Sequence, residues 1–371
     1  MRILYLALSY IPSRRASSVQ VMKMCSALAR RGHEVVLVAK RGEDTGLADH
    51  AFYCVDPNFT VDKVTRPKRR GGGLVYALGM AARVATRRRW ADLVYCRDQI
   101  GTMIASQSKI PLVWEAHGVP GTRWRRTAIA HAVSRPQARG IVSISEALRD
   151  DLIAHRIAPT DRPIVIARDA CDPPSNRVQP RPPTRRPVVG YVGHLYPGRG
   201  IDLIYALAAK LPHLTFRLVG GNESDLTRWR VGQPSNVELL GFRRQAELPA
   251  LYSTMDIVLM PYAKRGILSE TRGVDTSRWT SPMKMFEYMA SGAAIVSSDL
   301  PVLREVLVEG EHALYAPADD VGRWQTAIEL LVADDELRVR LATTAMRALE
   351  EQYTWDARAA QVMVGLGLES A

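Results

Sequence analysis

Ser281-Pro282-Met283-Lys284-Met285-Phe286-Glu287-Tyr288-Met289-Ala290-Ser291-Gly292 is the most informative stretch of the 371-residue sequence. Ser281 suits an N-cap, Pro282 the first helical position and Gly292 a C-terminal stop, so the stretch reads as a helix from about Pro282 to Ser291. The first turn of a helix offers unpaired N–H groups and a partial positive charge, which together hold a phosphate. Lys284 falls in that turn, where the helix dipole disfavours a cation. A diphosphate in the same space gives the lysine a reason. Glu287 lies one turn on, on the same side, placed to accept hydrogen bonds from a ribose. Met285, Phe286 and Met289 read as packing. On local features alone, a capped core helix with an exposed Lys and Glu is the competing reading.

Working outward, the helix leads into the apolar run Ala294-Ile295-Val296-Ser297. The same strand–helix alternation runs back through Val188–Val192, a helix over Ile201–Leu211, Leu214–Val219, Val237–Leu240 and Ile257–Met260. A Pro- and Arg-rich stretch precedes it, with little apolar periodicity, and residues 173–187 read as a linker. Before the linker, strands at Ile3–Ala7, Glu34–Ala39, Leu93–Tyr95, Pro111–Trp114, Gly140–Ser143 and Ile164–Ile166 alternate with helical patterns. Alternation of this kind implies parallel sheets covered on both faces. The expected architecture is α/β: two doubly wound domains, 1–172 and 188–355, facing a cleft. A last helix at about 356–371 has the apolar content to pack back on the first domain. Ligands of such sheets bind beyond the carboxyl ends of the strands.

Length suits two domains rather than one core, and 47% hydrophobic with 24% charged residues is a globular composition that excludes wholesale disorder. The four cysteines are scattered without histidine partners, which argues against a zinc site or a disulfide framework and for a reducing cytoplasm. No uncharged apolar run reaches the roughly 18–20 residues that span a bilayer. The net charge of +12 is uneven: residues 1–180 carry 29 basic and 15 acidic residues, the remainder 21 and 23. The excess clusters at Arg66–Arg70, Arg87-Arg88-Arg89-Trp90 and Arg123-Trp124-Arg125-Arg126. Such a face meets anionic lipid or a pyrophosphate-bearing acceptor, or is simply a solvated surface. No nucleic-acid-binding motif accompanies it, so no nucleic-acid partner is expected. The apolar stretch Gly71–Ala82 between basic runs reads as an interfacial helix or as a buried helix of the first domain.

Two strand-following loops carry further candidates. Gly193-His194-Leu195-Tyr196-Pro197-Gly198-Arg199-Gly200 lets backbone approach a ligand closely, and Arg199 can neutralise a phosphate with paired hydrogen bonds. Its spacing matches neither the dinucleotide fingerprint nor a Walker loop, and a plain strand–helix turn is the other reading. Ser17 and Ser18, in the loop after the first strand, offer donors to donor phosphate or acceptor, or cap a helix beginning near Val19.

Taken together, the Gly193–Gly200 loop, Leu240-Gly241-Phe242, the Ser281–Gly292 block and Ala294-Ile295-Val296-Ser297-Ser298-Asp299-Leu300-Pro301-Val302-Leu303-Arg304-Glu305 resemble the retaining GT-B glycosyltransferases of family 4. Ala27-Leu28-Ala29-Arg30-Arg31-Gly32-His33-Glu34-Val35 is similar to that family's first helix–strand junction. The resemblance implies two Rossmann-like domains, a nucleotide-diphosphate sugar as donor, and a glycan, glycolipid or lipid-linked acceptor of cell-envelope type. It implies that Arg199 and Lys284 hold the donor diphosphate, and that Glu287, second glutamate of the family's Glu-x7-Glu motif, binds the ribose. Gly241 and Phe242 would border the base, with Gly193, His194, Ser281 and Met283 also on the donor side. His117, in Trp114-Glu115-Ala116-His117-Gly118, would approach the donor sugar from the first domain; on its residue type alone it is as readily a structural histidine.

The sequence departs from the family pattern at two places. His194 stands where the family often has arginine, which shifts the phosphate grip to Arg199 and Lys284. Trp279 stands where the first motif glutamate belongs, so Glu270 or Asp275 is the candidate for contact with the sugar. No Asp-x-Asp pair suggests a metal-held diphosphate, and no cofactor or metal is expected. The reading is a metal-independent, retaining hexosyltransferase, cytoplasmic and peripheral at the inner face of the cell membrane. A nucleotide-sugar epimerase-like enzyme and a degenerate nucleotide-sugar-binding scaffold are the rivals.

Overall fold

A computed structural model describes residues 1–65, 72–173, 187–196, 198–263 and 277–370. The linker apart from its ends, the run Arg66–Arg70, and Glu270 and Asp275 lie outside the described residues. The chain divides into two compact units, one of Met1–Asp169 with Trp355–Ala371 and one of Ala170–Thr354. The division thus falls just ahead of the expected position at 172, and the last helix, Trp355–Gly365, belongs to the first unit.

In the first unit seven strands form one sheet: β1 Arg2–Ile11, β2 Glu34–Arg41, β3 Thr60–Val64, β4 Leu93–Cys96, β5 Leu112–Ala116, β6 Ala138–Ser143 and β7 Ile164–Ile166. Their order is β3-β2-β1-β4-β5-β6-β7, with every neighbour parallel. The second unit has six: β8 Val188–Val192, β9 Thr215–Val219, β10 Val237–Gly241, β11 Ile257–Met260, β12 Ala294–Ser298 and β13 Ala313–Ala316. Their order, β10-β9-β8-β11-β12-β13, is again all parallel. Central strands such as β4, β5, β11 and β12 are buried at every residue, as the unbroken apolar runs of a two-faced parallel sheet require. Strand order reverses at β1/β4 in one sheet and at β8/β11 in the other. Those are the switch points where doubly wound sheets open a crevice for ligands.

The sheet of the second unit has packed side chains on both sides. Phe216, Leu218, Val296, Trp324 and Ile328 are among those filling one side. Val258, Met260, Phe286, Met289, Leu303 and Leu349 belong to the other. Phe286 is fully buried on the back of the helix whose front carries Lys284 and Glu287. Truncating it should therefore remove core contacts and leave a cavity. Phe286→Ala is expected to lose about 3–5 kcal/mol of stability, measured as a drop in the urea midpoint of the second unit's transition.

Candidate active site

The helix observed at the decisive stretch is Met283–Ala290, with Pro282 at the N-cap in an extended conformation, φ −78° and ψ 121°. The expected start was one residue too early, because Pro282 does not take up helical ψ. Ser281 is buried just outside the helix. At the far end Ser291 bonds back to the carbonyl of Tyr288 at 2.7 Å, and Gly292, φ +75°, ends the helix in the left-handed region. Tyr288 anchors the helix to the switch point: its hydroxyl accepts from the Val192 N–H at 2.9 Å and donates to the Val192 carbonyl at 3.3 Å. Val192 ends β8, so the helix and the Gly193 loop are locked together.

That lock puts two cations around one shared tyrosine, Tyr262. Lys284 Nζ stands 4.1 Å from the centre of the Tyr191 ring and 5.3 Å from that of Tyr262. The Arg199 guanidinium stands 4.7 Å from the Tyr196 ring centre and 5.6 Å from that of Tyr262, and it donates to the Tyr196 hydroxyl. Aromatic faces supply only partial compensation for a cation. Among the described residues no carboxylate forms an ion pair with either Lys284 or Arg199, and Arg199 Nε is buried without a hydrogen-bond partner. Burial, and then Arg199, hold the Lys284 ammonium well below the usual lysine range, with Glu287 pulling only partly the other way. An anion with several oxygens is what this arrangement lacks.

Gly193 makes room for the Lys284 ammonium. A Cβ there would lie 2.6 Å from Lys284 Nζ, so any side chain would displace the ammonium. Gly200 has φ +78° and comes so close to Pro261 that a Cβ would meet its carbonyl oxygen at 2.4 Å. Glu287 is oriented rather than free: the Tyr252 hydroxyl donates to Oε2 at 2.8 Å and the Gln245 amide to Oε1 at 3.4 Å. Gly241, φ +68°, accepts from the Gly220 N–H at 2.8 Å, and Phe242 beside it is partly exposed. His194 is exposed, its ring 5.4 Å from that of Tyr196, and burial of its surroundings with Arg199 and Lys284 lowers its pKa. Met283 is half-buried at the helix start, and Trp279 lies in the turn before it.

In the first unit His117 follows β5. Its Nε2 is 2.6 Å from Glu115 Oε1, and Arg97, which follows β4, reaches its Nδ1 at 3.2 Å. Burial, followed by the charge of Arg97, pushes the imidazole pKa down to about 4. Ser17 and Ser18 do not form the expected loop. The first helix begins at Ala16, because Arg15 already supplies the extended N-cap residue. Ser18 Oγ donates to the Tyr10 carbonyl at 2.9 Å, and the Ser17 carbonyl accepts from Ser9. Both residues are therefore tied to the end of their own β1.

Sequence reasoning did not single out Tyr191, Tyr262, Tyr252, Gln245 or Arg97. Arg97 directly follows β4 and Tyr262 stands two residues beyond β11, a positional signal that was available; the others depend on tertiary contacts. Among the described residues no group of three or more His, Cys, Asp or Glu is placed to hold a metal ion.

Comparison with known proteins bears on this arrangement from two directions. A family model described as Glycosyltransferase Family 4 matches residues 17–168, and one described as Glycosyl transferases group 1 matches 186–334. The D-inositol 3-phosphate glycosyltransferase of Corynebacterium glutamicum (strain R) is 25% identical, over 93% of this chain and 90% of its own. The phosphatidyl-myo-inositol mannosyltransferase of Mycolicibacterium smegmatis is 26% identical over 45% of this chain and 41% of its own. Among solved structures, Anabaena Alr3699/HepE in complex with UDP superposes with a TM-score of 0.76 at 17% identity, covering 100% of both chains. That likeness is one of fold.

The two unbalanced cations make a specific demand on pH. An anion bound between them raises the depressed Lys284 pKa back toward its ordinary value. Above the free protein's Lys284 pKa, binding must then take up a proton, and affinity must fall as pH rises. Calorimetric titration with inorganic pyrophosphate in buffers of different ionisation enthalpy is expected to show that uptake, and Lys284→Ala to abolish it.

Proposed function

The chain belongs to glycosyltransferase family 4, a glycosyltransferase with two parallel-sheet α/β domains of the GT-B type, and we propose that it uses a nucleotide-diphosphate sugar as donor and transfers a hexose with retention. The observation carrying this reading is the pairing of Arg199 and Lys284 over Tyr262 at the β8/β11 switch point, with no balancing carboxylate among the described residues. The donor diphosphate would complete that charge, with backbone N–H groups at the Met283 helix end adding donors. Glu287, oriented by Tyr252 and Gln245, would accept from the ribose hydroxyls.

As the bond from the anomeric carbon to the β-phosphate oxygen breaks, negative charge grows on the departing diphosphate. Arg199 and Lys284 would stabilise it there, where preorganised charge is most effective. In front-face transfer that same phosphate oxygen accepts the proton of the acceptor hydroxyl, whose oxygen forms the new bond on the face just vacated. No metal is needed for this charge balance. The acceptor is proposed to be a glycan, glycolipid or lipid-linked molecule bearing phosphate. The strongly basic first 180 residues and the phosphorylated inositols in the names of the two relatives favour an anionic one. His117 would contact a substrate hydroxyl.

Lys284→Ala and Arg199→Ala are each expected to lower nucleotide release from a UDP-glucose and GDP-mannose panel by about 10²–10³-fold with little change in melting temperature, and EDTA to leave the wild-type rate unchanged. Near-normal turnover in both variants would sink the assignment.

A peripheral membrane contact completes the proposal. The helix Gly72–Thr86 buries Tyr76, Met80 and Val84 but leaves Leu74, Val75 and Leu78 at 66%, 46% and 62% exposure. It is therefore packed on one side and apolar on the other. Trp124 is exposed on the helix Arg123–Val133, with Arg125 stacked 5.3 Å from its ring centre. The helix Gln99–Ala105 packs against both, so these exposed apolar groups and cations belong to one layer of the first unit. No described helix is long and apolar enough to cross a membrane. Replacing Leu74 and Leu78 by Asp should remove co-sedimentation with phosphatidylglycerol vesicles; unchanged sedimentation would remove the membrane claim and leave the catalytic one.

A further inference from the structure

Glu115, on β5, is wholly buried and surrounded by donors from three other elements. Gln20 Nε2 donates to its Oε1 at 2.7 Å, the Tyr95 hydroxyl donates to Oε2, and Arg358 approaches Oε1 at 3.0 Å. Arg358 comes from the C-terminal helix Trp355–Gly365 and is only 1% exposed. Its guanidinium also donates to the carbonyls of Arg168, at 2.9 Å, and Ala167, at 3.3 Å. The side chain is thus held at both ends of its fork. His117 meets the same Glu115 oxygen.

We infer that Arg358 is a positioning residue for His117, acting through Glu115 to keep the imidazole neutral, with the proton on Nε2 and the Nδ1 lone pair presented to a substrate hydroxyl. The inference rests on the proposed role of His117 at the substrate. Its physical basis is charge balance in a buried place. A lone buried carboxylate beside an imidazole draws a proton onto the ring, because an imidazolium–carboxylate pair is better than an uncompensated charge. Arg358 already compensates Glu115, so an imidazolium would be a surplus cation.

Arg97 sharpens the outcome. Its guanidinium can only donate, so the nitrogen it meets, Nδ1, must accept, and the proton resides on Nε2 facing Glu115. A substrate hydroxyl can take the place of Arg97 at Nδ1; an imidazolium could accept from neither. Burial pushes the Tyr5 hydroxyl and the Cys25 thiol well above their ordinary ranges, which leaves them neutral. Burial also raises Asp169, which faces Arg358 and Arg97, to about 6, so that carboxyl is neutral in the more acidic range where His117 titrates and a carboxylate above it. Burial alone opposes the Glu115 carboxylate, but Arg358 and then His117 outweigh it and hold its pKa well below the usual range.

The test follows His117 itself by proton–nitrogen NMR of the histidine rings in the full-length chain. In the wild type His117 is expected as a single Nε2–H tautomer that resists protonation to near pH 4. Arg358→Gln, which removes the charge but keeps a donor for the two carbonyls, should raise that titration by about one unit or more. Arg358→Lys, which keeps the charge, should move it distinctly less. A merely structural Arg358 would lower the melting temperature in both variants without separating their titrations. Wild-type titration near 6.5 overturns the inference without any variant, as does an Arg358→Gln titration equal to the wild type. His117→Ala, assayed by UDP release from UDP-glucose, reads the underlying role separately: undiminished release rejects that role whatever the NMR result.

Discussion

Lys284 and Arg199 are cations held against tyrosine faces at one switch point, and much of the second unit is arranged to keep them there. Desolvating a charge that has no ion-pair partner is unfavourable, and Lys284 and Arg199 are both half-buried, so the surrounding fold has to hold the arrangement in place. Tyr288 fastens the Lys284 helix to the end of β8 through both backbone groups of Val192. Phe286 and Met289 hold the back of that helix in the core. Gly193 leaves the ammonium the volume that a side chain would occupy. The site is electrostatically incomplete among the described residues, and an anionic ligand is the natural completion.

The first unit solves the opposite problem. At the carboxyl ends of β4 and β5 it also gathers ionisable groups, but there the charges are balanced within the protein. Glu115 is matched by Arg358 and hydrogen-bonded by Gln20, Tyr95 and His117. Balanced charge fixes a protonation state, whereas unbalanced charge recruits a ligand. The two sheets share a topology yet are proposed to serve two different ends, one through the tautomer of His117 and the other through the cations Lys284 and Arg199. Arg358 also shows that the chain's last helix takes part in the electrostatics of the first unit besides filling its core.

Much of this was legible in the sequence, for identifiable reasons. Strands buried on both faces are unbroken apolar runs, so β8, β11 and most of β12 could be placed from Val188–Val192, Ile257–Met260 and Ala294–Ser297. The edge strands β3 and β13 were missed. β3 carries Asp62 and Lys63 and lies at the rim, where no continuous apolar run is required. The Lys284–Glu287 spacing and Gly292 were readable because helix ends have local chemistry. Ser17 and Ser18 were expected in a ligand loop or as a cap for a helix beginning near Val19; they lie in the first turn of a helix that starts at Ala16, a boundary that no local pattern fixed. The tyrosine floor and the Arg358–Glu115 pair join residues far apart in the chain, and no local pattern encodes such contacts.

The central claim is that Arg199 and Lys284 form a diphosphate site, and ligand-dependent melting tests it most directly. Binding to the folded state alone raises the midpoint by mass action. The account predicts that nucleoside diphosphates raise the midpoint of the wild-type chain well beyond the corresponding monophosphates, and that Lys284→Ala erases the difference. Equal stabilisation by mono- and diphosphates, or a diphosphate effect retained in Lys284→Ala, would contradict it.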